Sequence, residues 1–275
     1  MTAPLHTIRR DIVRVCAQLD RREYVGGRDG NVSVRLGDAV LVTRAGVRKG
    51  DVTEDDLLRV RADGTKTGGR GEPSTETGMH LRIYALRPDA GAVVHAHPPV
   101  ATGFAAAGRP IDECVLPEVI VGLGRVPLAR YATPGTPELS ASLDPVIASH
   151  DAILLENHGV VTVGADVWSA YQRMENVEHA ARILLVASLL GGPNPLSVGQ
   201  VSDLIGTRSR YGVREGLAGC RWAAPDAAAD VPGRTTTPGP SSGPGASSSD
   251  ASDDAAMDRI VERVVARLRD VTRPA

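Results

Sequence analysis

The chain has 275 residues, a formal net charge of −2 and 42% hydrophobic residues, which suits one globular domain with something attached. Its 31 basic residues are balanced by 33 acidic ones spread along the chain, and only 3% of residues are aromatic. That balance excludes the basic stripe and the stacking platforms that nucleic acid requires. No apolar run approaches the ~20 residues that cross a bilayer, and the N-terminus lacks a charged-then-apolar signal pattern, so a cytoplasmic protein is expected. Cys16, Cys114 and Cys220 are odd in number and lack ligand-like spacing. They read as small buried hydrophobes rather than a disulfide framework.

In chain order, Leu5, Ile8, Ile12, Val13, Cys16 and Leu19 recur at helical spacing after Pro4, and Gly26-Gly27 lie beyond the end of that pattern. Asn31–Leu36 alternates as a strand, and Gly37-Asp38 turns it into a second, Ala39–Thr43. Thr53–Leu58 reads as a short capped turn, Leu58–Asp63 as a strand and Gly68–Pro73 as a loop. Ser74-Thr75-Glu76 opens a helix closed by Pro88, and its free N–H groups and hydroxyls favour a bound anion. A central strand over Val93–His97 is followed by a helix from Pro98-Pro99 to Gly108, and Val119–Leu128 suggests a strand interrupted by glycines.

Thr136-Pro137 starts a further helix, and Ala152–Asn157 is a buried strand ending at His158-Gly159, before a short strand Val160–Val163. From Ala165 to Leu190 a long helical stripe including Trp168, Tyr171, Met174 and Leu184 reads as core or subunit interface. Residues 223–252 turn to Pro, Gly, Ser, Thr, Ala and Asp, the composition of a flexible linker. The final stretch, 253–275, places Met257, Ile260, Val261, Val264, Val265 and Leu268 on one helical face. The expected organisation is a catalytic domain over 1–222, a linker over 223–252 and an amphipathic helix over 253–275.

The chemistry centres on His95-Ala96-His97. On a strand, this spacing points both imidazoles to one face, and three such nitrogens with one labile position make a catalytic Zn²⁺ site. His158 ends an apolar strand that a parallel pairing would bring beside them, and Glu76 supplies a carboxylate at a helix start. Alone, such a His pair more often packs or bonds a carbonyl than holds a metal, and Ser74 or Thr75 alone would be helix caps. Their position directly before Glu76 favours an anion site. His6, His80, His150 and His179 carry no assigned role.

Four motifs, Gly30-Asn31-Val32-Ser33-Val34-Arg35, Pro73-Ser74-Thr75-Glu76-Thr77-Gly78-Met79-His80, Ala92-Val93-Val94-His95-Ala96-His97-Pro98 and Leu155-Glu156-Asn157-His158-Gly159, resemble in sequence and order those of the class II aldolase/adducin family. The resemblance runs from Pro4 to Glu215 and is strongest to its L-fuculose-1-phosphate aldolase branch. It implies an α/β fold, three-layer α/β/α with a mainly antiparallel central sheet, assembled as a homotetramer with sites at subunit interfaces. It implies Zn²⁺ held by His95, His97 and His158, Glu76 as catalytic acid/base, and substrate phosphate at Asn31, Gly46, Ser74 and Thr75. The reaction so implied is reversible cleavage of a ketose 1-phosphate, fuculose 1-phosphate-like, to dihydroxyacetone phosphate and an aldehyde such as lactaldehyde.

Two positions depart from that branch. Ala45-Gly46 stands where it has Thr-Gly, with Arg28 or Lys66 as candidates to compensate, and Leu116 stands where it has a proton-donating tyrosine. Tyr211, in a Tyr-Gly-Val-Arg context, resembles a second tyrosine contributed across the interface and is the expected donor. The related sugar-phosphate 4-epimerases carry Asp at the position of Glu76; a phosphorylated sugar-acid decarboxylase would share the chemistry, and a non-catalytic adducin-like interaction module would lack the three histidines. The linker and terminal helix resemble the encapsulation peptides that bind microcompartment shell proteins.

Overall fold

An eight-stranded sheet carries the fold in the order β4-β3-β2-β1-β5-β8-β7-β6, with β1 Asn31–Leu36, β2 Ala39–Thr43, β3 Leu57–Arg61, β4 Lys66–Gly68, β5 Ala92–Ala96, β6 Leu128–Ala129, β7 Ala152–Leu155 and β8 Gly159–Gly164. This computed structural model describes residues 3–211 and Val213, Leu217, Gly219 and Cys220, which belong to the unit Met1–Asp226. The expected linker over 223–252 and helix over 253–275 lie outside the described residues, as does the side chain of Tyr211. All neighbouring strands pair antiparallel except β6 and β7.

Strand periodicity divides the interior into two cores. Ala92, Val94 and Ala96 of β5 face a core shared with α1 (Leu5–Arg21), α3 (Pro99–Ala106) and α6 (Val167–Leu189). Val93 faces the other way, into a core shared with α2 (Thr77–Leu86) and α5 (Pro137–Ser142). The result is the three-layer α/β/α arrangement with a mainly antiparallel sheet, and it sets His95 on the α2 side of the central strand. Among the described residues no helix is long and apolar enough to cross a membrane.

Two local expectations fail for identifiable reasons. The segment expected as a strand over Val119–Leu128 is instead α4 (Pro117–Gly122), followed by only two strand residues in β6. Pro117 sits in its first turn, where its fixed φ and missing N–H favour a helix start over the β-branched composition that follows. The structure adds two elements to those expected: β4, which leads into the Gly68–Pro73 loop, and α7 (Val198–Gly206), set by a capping box between Ser197 and Gln200. Cys114 and Cys220 are not separate small hydrophobes: they form a disulfide, with Cα atoms 5.3 Å apart across a separation of 106 residues. Cys16 alone fits the expectation, free and buried.

One buried carboxylate ties the helical layer to the site. Glu178 of α6 has no solvent exposure. It accepts the N–H groups of Val100 at 3.1 Å and Ala101 at 2.9 Å, the first turn of α3, while Arg182 donates to it at 2.8 Å. These donors have no partner within their own helix, so the carboxylate offsets both their desolvation and the positive end of the helix. That turn begins two residues after His97. Replacement Glu178→Ala is expected to cost about 2 kcal/mol and to lower Tm by roughly 4–8 °C, read by thermal unfolding.

Candidate active site

Strand pairing places Asn31 directly opposite His95, and His95 opposite Val161. β5 stops at Ala96, so His97 lies one residue beyond it. His158 arrives by a different route from the one expected. β8 separates β7 from β5, and the tight turn linking β7 to β8 carries His158 to the end of β5. Asn157 in that turn takes a positive φ of 54°, a conformation that Asn tolerates better than most residues. A Cβ at Gly159 would lie 2.5 Å from His97 Cδ2 and 2.7 Å from the Ala96 carbonyl oxygen. Only glycine lets the turn close on the imidazole.

The three imidazoles form a triangle, with ring centroids 4.8–5.1 Å apart, all edge to face. One nitrogen from each lies within 4.8 Å of the others. His95 Nδ1 donates to the Val160 carbonyl at 2.9 Å, and its Nε2 lies 3.2 Å from His97 Nε2. The edge of a tetrahedron with Zn–N bonds of about 2.0–2.1 Å is about 3.3 Å, so the spacing suits one ion between them. Burial first, and then charge on His95 and His158, pushes the His97 pKa down to about 3. The neutral, metal-binding form is thereby favoured.

Glu76, the N-cap residue of α2, is only 9% exposed. Its Oε2 lies 3.2 Å from His95 Nε2 and its Oε1 3.0 Å from His158 Nε2. Asn31 Nδ2 donates to Oε2 at 2.8 Å and to Ser74 Oγ at 3.0 Å. Burial acts to raise the pKa of this carboxyl, but charge on His95 and hydrogen bonds from His158 and His95 outweigh it. The net result is a carboxyl held well below the usual carboxylate range. Ser74 Oγ also accepts from the Glu76 N–H at 3.3 Å. With two donors already pointing at that oxygen, its own proton is left for an acceptor such as an anion.

Asn31, Gly46, Ser74, Thr75, Glu76 and His97 line one cavity of about 350 Å³, which His158 also borders. The structure therefore brings together every sequence-predicted metal, carboxylate and phosphate position. Of the two candidates to compensate for Ala45, Arg28 lines this cavity. Lys66 does not: it donates to the Gly71 carbonyl at 2.7 Å and pairs with Glu72 at 3.3 Å on the β4 side. Leu116 packs against the core on the α6 side.

Sequence reasoning missed two groups. Ser33 Oγ contacts His80 Nδ1 at 2.7 Å and Tyr84 Oη at 2.8 Å, all buried behind Asn31 and Glu76. The i, i+4, i+8 spacing of Glu76, His80 and Tyr84, with Ser33 two residues after Asn31, was the available signal. The second missed group is Lys49, buried at the wall of the cavity.

Residues 10–185 match the family model described as the class II aldolase and adducin N-terminal domain. The chain belongs to the class II aldolase and adducin family. The chain is 33% identical over 173 residues to an L-fuculose phosphate aldolase from Methanococcus maripaludis, covering 63% of this chain and 93% of that one. It is 31% identical over 205 residues to a 5-methylthioribulose-1-phosphate/5-deoxyribulose-1-phosphate aldolase from Rhodospirillum rubrum, covering 74% and 92%. A solved L-fuculose 1-phosphate aldolase superposes with a TM-score of 0.70 at 27% identity, over 75% of this chain and 98% of the other. It is thus a fuculose-phosphate aldolase-like member of the family.

Because a Cβ at residue 159 would collide with the His97 ring, Gly159→Ala is expected to weaken divalent-metal affinity by about tenfold or more, measured by metal titration of the folded variant.

Proposed function

We propose that this protein is a Zn²⁺-dependent aldolase that cleaves a ketose 1-phosphate of the fuculose 1-phosphate kind, reversibly, to dihydroxyacetone phosphate and an aldehyde such as lactaldehyde. The observation that carries the reading is the Glu76 carboxylate, lodged between His95 Nε2 and His158 Nε2 and tethered by Asn31. It puts an acid/base group at a three-imidazole centre. His95, His97 and His158 would hold the ion. When bound, Zn²⁺ supplies Lewis acidity that offsets the charge left on the ketose oxygens as the carbon–carbon bond breaks.

The chain's own groups do the rest. Glu76 accepts the proton of the substrate hydroxyl β to the carbonyl, which lets that bond break. Asn31 occupies Oε2, so acceptance falls to Oε1, the oxygen that faces His158 Nε2 at 3.0 Å. Ser74, Thr75 and the Gly46 backbone bind the phosphate where α2 begins, with the Asn31 amide orienting Ser74. Tyr211 of a neighbouring subunit in a homotetramer returns a proton to the cleaved carbon. Exposed Leu185, Val186, Leu189 and Leu190 at the end of α6 offer apolar surface for such an assembly. The Glu side chain at position 76, rather than Asp, favours aldol cleavage over 4-epimerisation, because one methylene changes which proton a carboxylate reaches.

The test is release of dihydroxyacetone phosphate from a panel of ketose 1-phosphates, including fuculose, 5-deoxyribulose and 5-methylthioribulose 1-phosphates. Activity is expected from at least one, is lost with chelator and returns with Zn²⁺. Replacement Glu76→Gln is expected to lower kcat by about 10²–10⁴-fold while the metal stays bound. No product from any substrate with Zn²⁺ restored would overturn the aldolase reading in favour of a decarboxylase or a non-catalytic module.

We place the enzyme in the cytoplasm, with residues 253–275 as a helix that docks on a microcompartment shell protein. Removing 253–275 is expected to leave catalysis intact and to abolish co-purification with shell proteins. Equal shell association of the shortened chain would count against this role.

A further inference from the structure

Only two of the 31 basic residues of this chain are lysines, Lys49 and Lys66, and the two are placed in opposite ways. Lys66 is on an exposed edge and pairs with Glu72. Lys49 opens a short 3₁₀ turn, Lys49–Asp51, and is 2% exposed. Its Nζ donates to the Val47 carbonyl at 3.0 Å and to the Arg28 carbonyl at 3.3 Å. An ammonium has three N–H groups, so one is left over. No carboxylate pairs with Lys49 among the described residues.

The two carbonyls that hold Lys49 belong to two loops bordering the same cavity. Arg28 lies three residues before Asn31, and Val47 follows Gly46. Lys49 itself lines that cavity beside Ser74 and Thr75. The other cations there differ from it. Arg44 is tied to Asp56, and Arg28 has an exposed side chain. Burial pulls the Lys49 pKa below the usual lysine range, partly offset by the Cys16 thiol, Asp29 and Glu76. A buried cation without a counterion is expensive to keep, and a ligand that brings the opposite charge recovers that cost on binding.

We propose that Lys49 is a specificity-determining residue whose buried ammonium meets the phosphoryl group of the substrate, clamping the two loops that border the cavity around it. The inference rests on the reading of this cavity as the site of a phosphorylated ketose. Ser74 and the backbone supply directional hydrogen bonds, and Lys49 supplies the full positive charge that those groups lack. A monoester dianion is therefore selected over neutral ketoses of the same shape.

The test uses inorganic phosphate as probe on the full-length, metal-loaded protein, so that it reads independently of turnover. With ¹³C only at lysine Cε, the protein gives two side-chain signals. Phosphate is expected to shift that of Lys49 and to leave that of Lys66 in place. Lys49→Met and Lys49→Gln are expected to weaken phosphate binding by about tenfold or more, measured by calorimetry on folded protein. In the synthetic direction, the loss should fall on KM for dihydroxyacetone phosphate, not on KM for the aldehyde, a split that loosened packing would not produce. The proposal is overturned if phosphate moves neither lysine signal of the wild type, a result available even where both variants fail to fold. It is overturned equally if a folded variant binds phosphate as the wild type does. Phosphate binding through Lys49 without any aldol cleavage would instead remove the aldolase reading and leave this anion site standing.

Discussion

The site depends on one carboxylate being held from two sides. Glu76 would be repelled from a dry interior on its own, since burial acts against its charge. It is kept there by the Asn31 amide on Oε2 and by the imidazoles of His95 and His158. Asn31 stands opposite His95 in the β1–β5 ladder, so the register of that pair sets the distance between the amide and the His95 ring. A slip of one residue would put the two side chains on opposite faces of the sheet. Packing of Val93 and Val94 into separate cores resists the slip, which makes hydrophobic sorting on the central strand the guarantor of the polar geometry at its end.

Much of this was legible in the sequence because it is encoded locally. His95 and His97 differ by two residues, Ser74 to Glu76 are consecutive, and strand alternation around Val93 predicts which face His95 takes. The assembly of those pieces was less legible. Reaching His158 by a parallel neighbour is a reasonable inference from a run of apolar residues, but a run does not reveal that β8 will insert between β7 and β5. At Pro117 the valines and isoleucine that follow point to a strand, but their strand preference is weak against a fixed proline φ. The Cys114–Cys220 link joins residues whose proximity exists only in three dimensions.

Lys49 shows the same limit from the chemical side. In the sequence it stands beside Arg48 and near Asp51, the setting of an ordinary solvated charge. Arg48 does behave that way, pairing with Asp20 at 3.0 Å. Its neighbour turns inward because the 3₁₀ turn rotates successive side chains far apart. The Ser33, His80 and Tyr84 cluster likewise becomes meaningful only once β1 lies against α2.

The tight turn that delivers His158 also bears on how the protein folds. His95 and His97 are neighbours in any conformation, but His158 joins them only when β8 has paired with β5, and Glu76 only when α2 has packed on the sheet. An unfolded chain thus offers an ion two imidazoles, and the native chain offers three. An ion preferring the full set binds the native state more tightly and draws the folding equilibrium toward it in proportion to its free concentration. Resistance to unfolding would then track the metal supply of the surroundings, and the ion would act on the lifetime of the fold as well as on the reaction.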